Sequence, residues 1–224
     1  MRINIAIDGP SAAGKSTIAK LLARKLGYVH LDTGAMYRCV GYKAKMTDVS
    51  MDNETALCSM LKDTDIRLLS DGSVYLDGRD VTKDIRQDEI SLCASSVSRH
   101  PGVRKDLVAR QQKLAEEKGF IMDGRDIGTV VLKDAEVKVF LTASAEARAR
   151  RRFDQNKLAG IPSESLEEIT KEIEQRDYQD THRSASPLTK AEDAVVIDSS
   201  DLSIEEVSDA IYKLAEPFIN REEK

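Results

Sequence analysis

Gly9-Pro10-Ser11-Ala12-Ala13-Gly14-Lys15-Ser16 fits the pattern G-x-x-x-x-G-K-[ST] without a mismatch, and its flanks suit the pattern too. Ahead of it, Ile3-Asn4-Ile5-Ala6-Ile7 alternates in β-branched residues and reads as a strand. Behind it, Thr17 to Leu26 places apolar residues at helical spacing, with Gly27 as the stop. Strand, glycine loop and helix in that order make a phosphate cradle, because loop amides and the helix N-terminus point at phosphate oxygens. The segment Gly9 to Thr17 is therefore expected to hold a nucleoside triphosphate. Lys15 would reach its outer phosphates, and Ser16 would offer a hydroxyl to Mg²⁺.

The rest of the chain is expected to complete one α/β layer. Apolar runs at Ile3–Ile7, Tyr28–Leu31, Phe120–Met122, Val137–Leu141 and Ala194–Ile197 read as buried parallel strands with helical patterns between them. The stretches 32–119 and 142–193 are too long for ordinary crossovers, so each should carry an accessory unit over the ligand. In the first, Asp65–Leu69 and Ser73–Leu76 flank Ser70-Asp71-Gly72, a hairpin signature. In the second, Arg148, Arg150, Arg151 and Arg152 precede a Gly160-Ile161-Pro162 break and a charged helix running toward Tyr178. Ser165-Leu166-Glu167-Glu168 and Ser203-Ile204-Glu205-Glu206 both read as capping boxes, and Pro217 is expected in the tail after the last helix.

Composition narrows the partners. A net charge of -5 argues against binding nucleic acid polymers or acidic membranes, which needs a basic face. Cys39, Cys58 and Cys93 are far apart and odd in number, as expected of incidental thiols in a reducing compartment. No stretch approaches a membrane span, and the N-terminus enters the first strand at once, so the expected location is the cytoplasm. Nothing suggests an obligate interface, and a monomer is expected. His30, His100 and His182 lack metal-ligand spacing and are expected to be exposed or satisfied.

Three further motifs carry chemistry. Asp32-Thr33-Gly34-Ala35-Met36-Tyr37-Arg38 follows the second strand, where an α/β sheet binds ligands. Arg38 is expected one helical turn in, facing the phosphate loop; the alternative is a solvated Arg38 with Asp32 only a cap. Asp123-Gly124-Arg125-Asp126-Ile127-Gly128-Thr129 follows the third strand, and Asp123 is placed to help hold Mg²⁺, directly or through water. The alternative there is a turn with an internal Arg–Asp pair. Arg176, Asp180 and Arg183 fall at i, i+4 and i+7, so one helix face could clamp a phosphate and a sugar hydroxyl, or could be a salt-bridged surface. Arg148, Arg151 and Arg152 share a face and could stabilise charge on a transferring phosphoryl group, while Arg150 points elsewhere.

Taken together these motifs resemble the bacterial cytidylate (CMP) kinases over essentially the full length. Ser95 within Ala94-Ser95-Ser96-Val97 and the pair Val103-Arg104 add to the match. The resemblance implies a nucleoside monophosphate kinase fold with five parallel strands. The core would comprise 1–33, 105–144 and 184–224, with an acceptor-binding arm at 34–104 and a lid at 145–183. It implies that ATP is the donor, with Mg²⁺, and that CMP and dCMP are the acceptors. Arg38, Arg125 and Arg183 would hold the acceptor phosphate, with Lys15, Arg125 and Arg183 carrying the catalytic charge. Ser95, Arg104 and Asp126 would read the base, and Arg176 and Asp180 would contact the sugar. Thr33 keeps a hydroxyl where relatives often carry Ser, and Tyr37 is the one aromatic near a proposed acceptor element.

The base assignment suits cytosine. Asp126 can accept from the N4 amino group, while Arg104 and Ser95 can donate to N3 and O2. Uracil reverses the first two features and would leave buried polar groups unpaired. The competing readings are a P-loop kinase for another acceptor and a guanine-nucleotide switch. The latter fits poorly, since Asn156-Lys157-Leu158-Ala159 ends in Ala where guanine reading needs Asp.

Overall fold

A computed structural model describes residues 1–69, 71–158 and 165–220. Five strands form one wholly parallel sheet: β1 (Ile5–Asp8), β2 (Val29–Asp32), β6 (Phe120–Gly124), β7 (Val137–Thr142) and β8 (Val195–Asp198), in the order β2-β6-β1-β7-β8. The fold class is as expected, with strand bounds shifted by a residue or two. Alternation along the strands separates two cores. Ile5, Ile7, Ile121, Val139 and Leu141 face α1 (Lys15–Leu26) and α8 (Ile204–Ile219), whereas Ala6, Leu31 and Met122 join residues of α2 (Thr33–Met46), α3 (Glu54–Lys62) and α5 (Pro101–Ala115) on the other side.

Each accessory unit has its own small core. In the first, β3 (Ile66–Leu68) and β4 (Val74–Leu76) form the expected antiparallel hairpin, and β5 (Arg79–Asp80) adds a third strand the sequence did not suggest. Val74, Leu76, Val81, Ile85 and Ile90 of this unit pack on Ala35 and Cys39 of α2, seating the hairpin and α4 (Asp88–Val97) against α2. In the second, Ala149 and Phe153 of α6 (Ala145–Leu158) meet Ile169 and Ile173 of α7 (Leu166–His182), and Ala12 of the phosphate loop packs against them. The expected Gly160-Ile161-Pro162 break lies outside the described residues, as does Ser70 of the hairpin turn.

Local signals explain most boundaries. Gly27 takes a left-handed φ of 64° and donates to Ala23 O, ending α1. Both capping boxes form, Ser165 with Glu168 and Ser203 with Glu206. Two expectations are corrected. Pro217 lies inside α8, not after it: one lost backbone bond is outweighed because Phe218 and Ile219 continue the apolar stripe onto the core. β8 is an edge strand with Val195 and Val196 exposed, so it is not buried on both faces.

The candidate nucleotide site

All five strands run in one direction, so their carboxyl ends open into a single cleft, a cavity of about 1270 Å³. Segments that follow β1, β2, β6 and β8 line it, along with residues of α6 and α7 and Ser91, Ser95, Ser98 and Arg104.

One half of the cleft is lined by the loop after β1. Gly9 has a φ of 153°, and a Cβ there would meet Leu141 O at 2.0 Å, so only glycine lets the chain leave the sheet at this point. Gly9 and Pro10 are buried behind the wall; Ser11 to Thr17 face the cavity. Gly14 caps α1 without a side-chain bond, so no capping side chain competes with an anion for the first amides of the helix. Lys15 Nζ donates to Pro10 O at 2.6 Å. Burial, with Arg125 nearby, pushes the Lys15 ammonium down to about 7 against the pull of Asp123 and Asp8.

Asp123 ends in a tight polar chain. Ser16 Oγ donates to its Oδ2 at 2.7 Å, and His30 Nε2 donates to its Oδ1 at 2.6 Å. Burial opposes the charge, but the bond and charge of His30, then Lys15 and the Ser16 bond, prevail and hold this carboxyl below its ordinary range. Thr33 Oγ1 donates to Asp123 O at 2.7 Å, so its hydroxyl ties β2 to β6.

The other half of the cleft is built from arginines. Arg38 Nη2 donates to Asp32 Oδ2 at 2.7 Å, and Asp32 Oδ1 caps Ala35 N, so the cap and the pair coexist. Arg125 Nε donates to Asp180 Oδ2 at 2.7 Å. Burial disfavours both charges, yet the pair outweighs it, raising Arg125 and lowering Asp180. Arg104 pairs with Asp126 inside the protein, donates to Ser98 O at 3.2 Å, and lies 5.4 Å from the centre of the Tyr37 ring. Burial pushes the Tyr37 hydroxyl up to about 12. Arg176 and Arg183 also line the cavity, each pushed down by burial and by neighbouring arginines.

A profile of the cytidylate kinase family matches residues 5–217. The chain belongs to this family. The cytidylate kinase of Geobacillus sp. (strain WCH70) is 53% identical over 215 residues, spanning 95% of this chain and 96% of that one. The cytidylate kinase of Bacillus subtilis (strain 168) is 50% identical over 218 residues, with 96% and 97% covered. A shikimate kinase structure from Bacteroides thetaiotaomicron superposes with a TM-score of 0.52 at 15% identity, over 96% of this chain and 99% of that one, and speaks to the fold alone.

Within this cytidylate kinase fold, two sequence-based expectations change. Arg148 does not reach the cavity. It is buried, donates to Ala143 O, to Ser11 O and to Asp177, and so staples the phosphate loop to α6 and α7. Arg151 and Arg152 do line the cleft, and Arg151 is also bonded to Ser199 and Ser200. Arg183 lies one residue past α7 in extended backbone, so it leaves the helix face of Arg176 and Asp180 but still approaches Asp180 at 3.8 Å. Two neighbours of the site were missed. Asp8 accepts from Ile127 N and Gly128 N, both at 2.7 Å, and burial pushes its carboxyl up to about 6 despite those bonds. His30 braces Asp123. The available signal was the same for both, a polar residue within or ending an apolar strand run.

Proposed function

We propose that this chain transfers the γ-phosphoryl group of ATP to CMP, giving CDP and ADP, and accepts dCMP as well. One observation carries the acceptor reading. Arg38 Nε, Arg104 Nε and Arg183 Nη2 are buried without a hydrogen-bond partner, and all three residues line the cleft. An unmet buried donor costs about 1–3 kcal/mol, which an anionic, hydrogen-bonding ligand would recover. Arg38, Arg125 and Arg183 suit a phosphate, while Asp126, Arg104 and Ser95 offer the acceptor and donors that cytosine needs.

Phosphoryl transfer asks the protein mainly to position two nucleotides and neutralise charge. Lys15 and the loop amides hold the donor phosphates; Arg125 and Arg183 converge on the acceptor phosphate; Arg176 and Asp180 contact its sugar. The acceptor oxygen is already ionised, so no general base is required. The 34–104 unit serves as the acceptor arm and 145–183 as the lid that expels water. Ser16 and Asp123 fit a divalent cation, for they bring a hydroxyl and an ionised carboxylate to hydrogen-bond distance, a hard oxygen set. These two would hold Mg²⁺, which when bound supplies charge neutralisation on the donor's outer phosphates.

An ADP-release assay with ATP, Mg²⁺ and a panel of CMP, dCMP, UMP, AMP, GMP, dTMP and shikimate tests the proposal. Turnover should be confined to CMP and dCMP, and Asp126→Ala should erode the preference over UMP. Equal turnover on UMP and CMP would refute the base reading.

A further inference from the structure

We propose that Asp8 is a positioning residue for acceptor recognition: its carboxylate holds the 125–128 turn so that Arg125 and Asp126 face the acceptor. The proposal rests on the CMP reading above and adds a residue outside the substrate's reach. Asp8 closes β1, with Gly124 of β6 and Phe140 of β7 as its register partners. Its two oxygens each take one amide, Oδ1 from Ile127 and Oδ2 from Gly128, both at 2.7 Å.

Those amides open a single π-turn, Ile127–Val131, whose later N–H groups Val130 and Val131 return to Asp126 O. The first amides of any helical turn lack an internal partner. Asp8 supplies both partners from the strand that leads directly into the phosphate loop. The turn it fixes carries Asp126, paired with Arg104, and follows Arg125, paired with Asp180. A carboxylate suits this place because it accepts twice. Asparagine would accept one N–H and set its own NH₂ against the other. The far side is packed as well: a Cβ on Gly128 would meet Asp8 Oδ2 and the Lys138 Cδ, both at 3.3 Å.

The experiment compares wild type, Asp8→Asn and Gly128→Ala. For each, KM is measured for CMP and for ATP, along with the CMP-over-UMP ratio and the melting temperature. One orphaned amide at the turn should raise KM for CMP about tenfold in Asp8→Asn, with KM for ATP rising by a clearly smaller factor as Lys15 loses the nearby Asp8 charge, and in the charge-neutral Gly128→Ala by less than about twofold. The CMP-over-UMP ratio should fall in parallel. Gly128→Ala perturbs the same contact from the other partner and should give the same split at smaller size; it decides the question if Asp8→Asn does not fold. Equal rises in both KM values, or a lower melting temperature with unchanged acceptor kinetics, overturns the proposal. A wild type without preference for CMP overturns the functional reading itself, whereas a CMP-selective wild type with no split in either variant overturns only the role of Asp8.

Discussion

Lys15 is a buried cation whose Nζ donates to a carbonyl, Pro10 O, and its ordinary value of 10.5 has fallen to about 7. Phosphate oxygens would restore the charged form. Binding of ATP at pH 8 should therefore take up protons, read by calorimetry in buffers of different ionisation enthalpy, and Lys15→Met should abolish the uptake. Binding heats independent of buffer would refute this. The sign for stability follows from linkage: the folded pKa lies below the unfolded one, so the unfolded chain binds more protons between about pH 7 and 10.5. This group's contribution to stability thus rises with pH across that window, and its cost is fully present below pH 7. Arg148 is held by bonds within the protein and serves structure. Arg148→Met leaves Ser11 O, Ala143 O and Asp177 without their donor and should cost about 1–3 kcal/mol of stability by denaturant titration. Residue types and local spacing were legible, as in the phosphate loop and the Asp123–Thr129 motif. Pairings such as His30 with Asp123, or Asp8 with Ile127 and Gly128, join residues far apart in the chain and leave no periodic trace.

At the scale of elements, α7 shows how a surface cap reaches the site. Ser165 and Glu168 close its N-terminus, Ile169 and Ile173 dock its first turns on α6, and Arg176 and Asp180 follow on the same rod. Ser165→Ala should loosen the first turns by about 0.5–1 kcal/mol, the lower half of the range because the cap is exposed. Amide exchange should accelerate several-fold at residues 166–175 and little in β1 or β6, and uniform acceleration throughout would contradict a local role. Caps and glycine stops were legible because they act within four residues. The path of α8 through Pro217 and the exposure of β8 at the sheet edge were decided by packing against distant elements. Periodicity reports a segment's own preference, so it could not register that competition.

On the scale of the whole molecule, charge is divided unevenly. The chain carries -5 overall, yet cations outnumber acids on the wall of the cleft, with Lys15, Arg38, Arg104, Arg125, Arg176 and Arg183 gathered over the carboxyl ends of the sheet. Two separate stretches between core strands, 33–119 and the α6–α7 pair, contribute to that wall, so it exists only when the entire fold is assembled. Mutual repulsion is visible in the downward shifts of Arg176 and Arg183, to which neighbouring arginines contribute after burial. The nucleotide-free protein therefore holds like charges together that an anion would relieve. A ligand at a hundred times its Kd stabilises the folded state by about 2.7 kcal/mol. For a chain of this length that is a rise of about 5–11 °C in Tm. ATP and CMP together should give at least this shift by calorimetry, and CMP should exceed cytidine, which lacks the phosphate. The gain from CMP should shrink between 50 and 500 mM salt, because screening weakens the charge interactions it satisfies. A cytidine shift equal to that of CMP would place the binding energy in the base and refute an arginine cluster poised for phosphate.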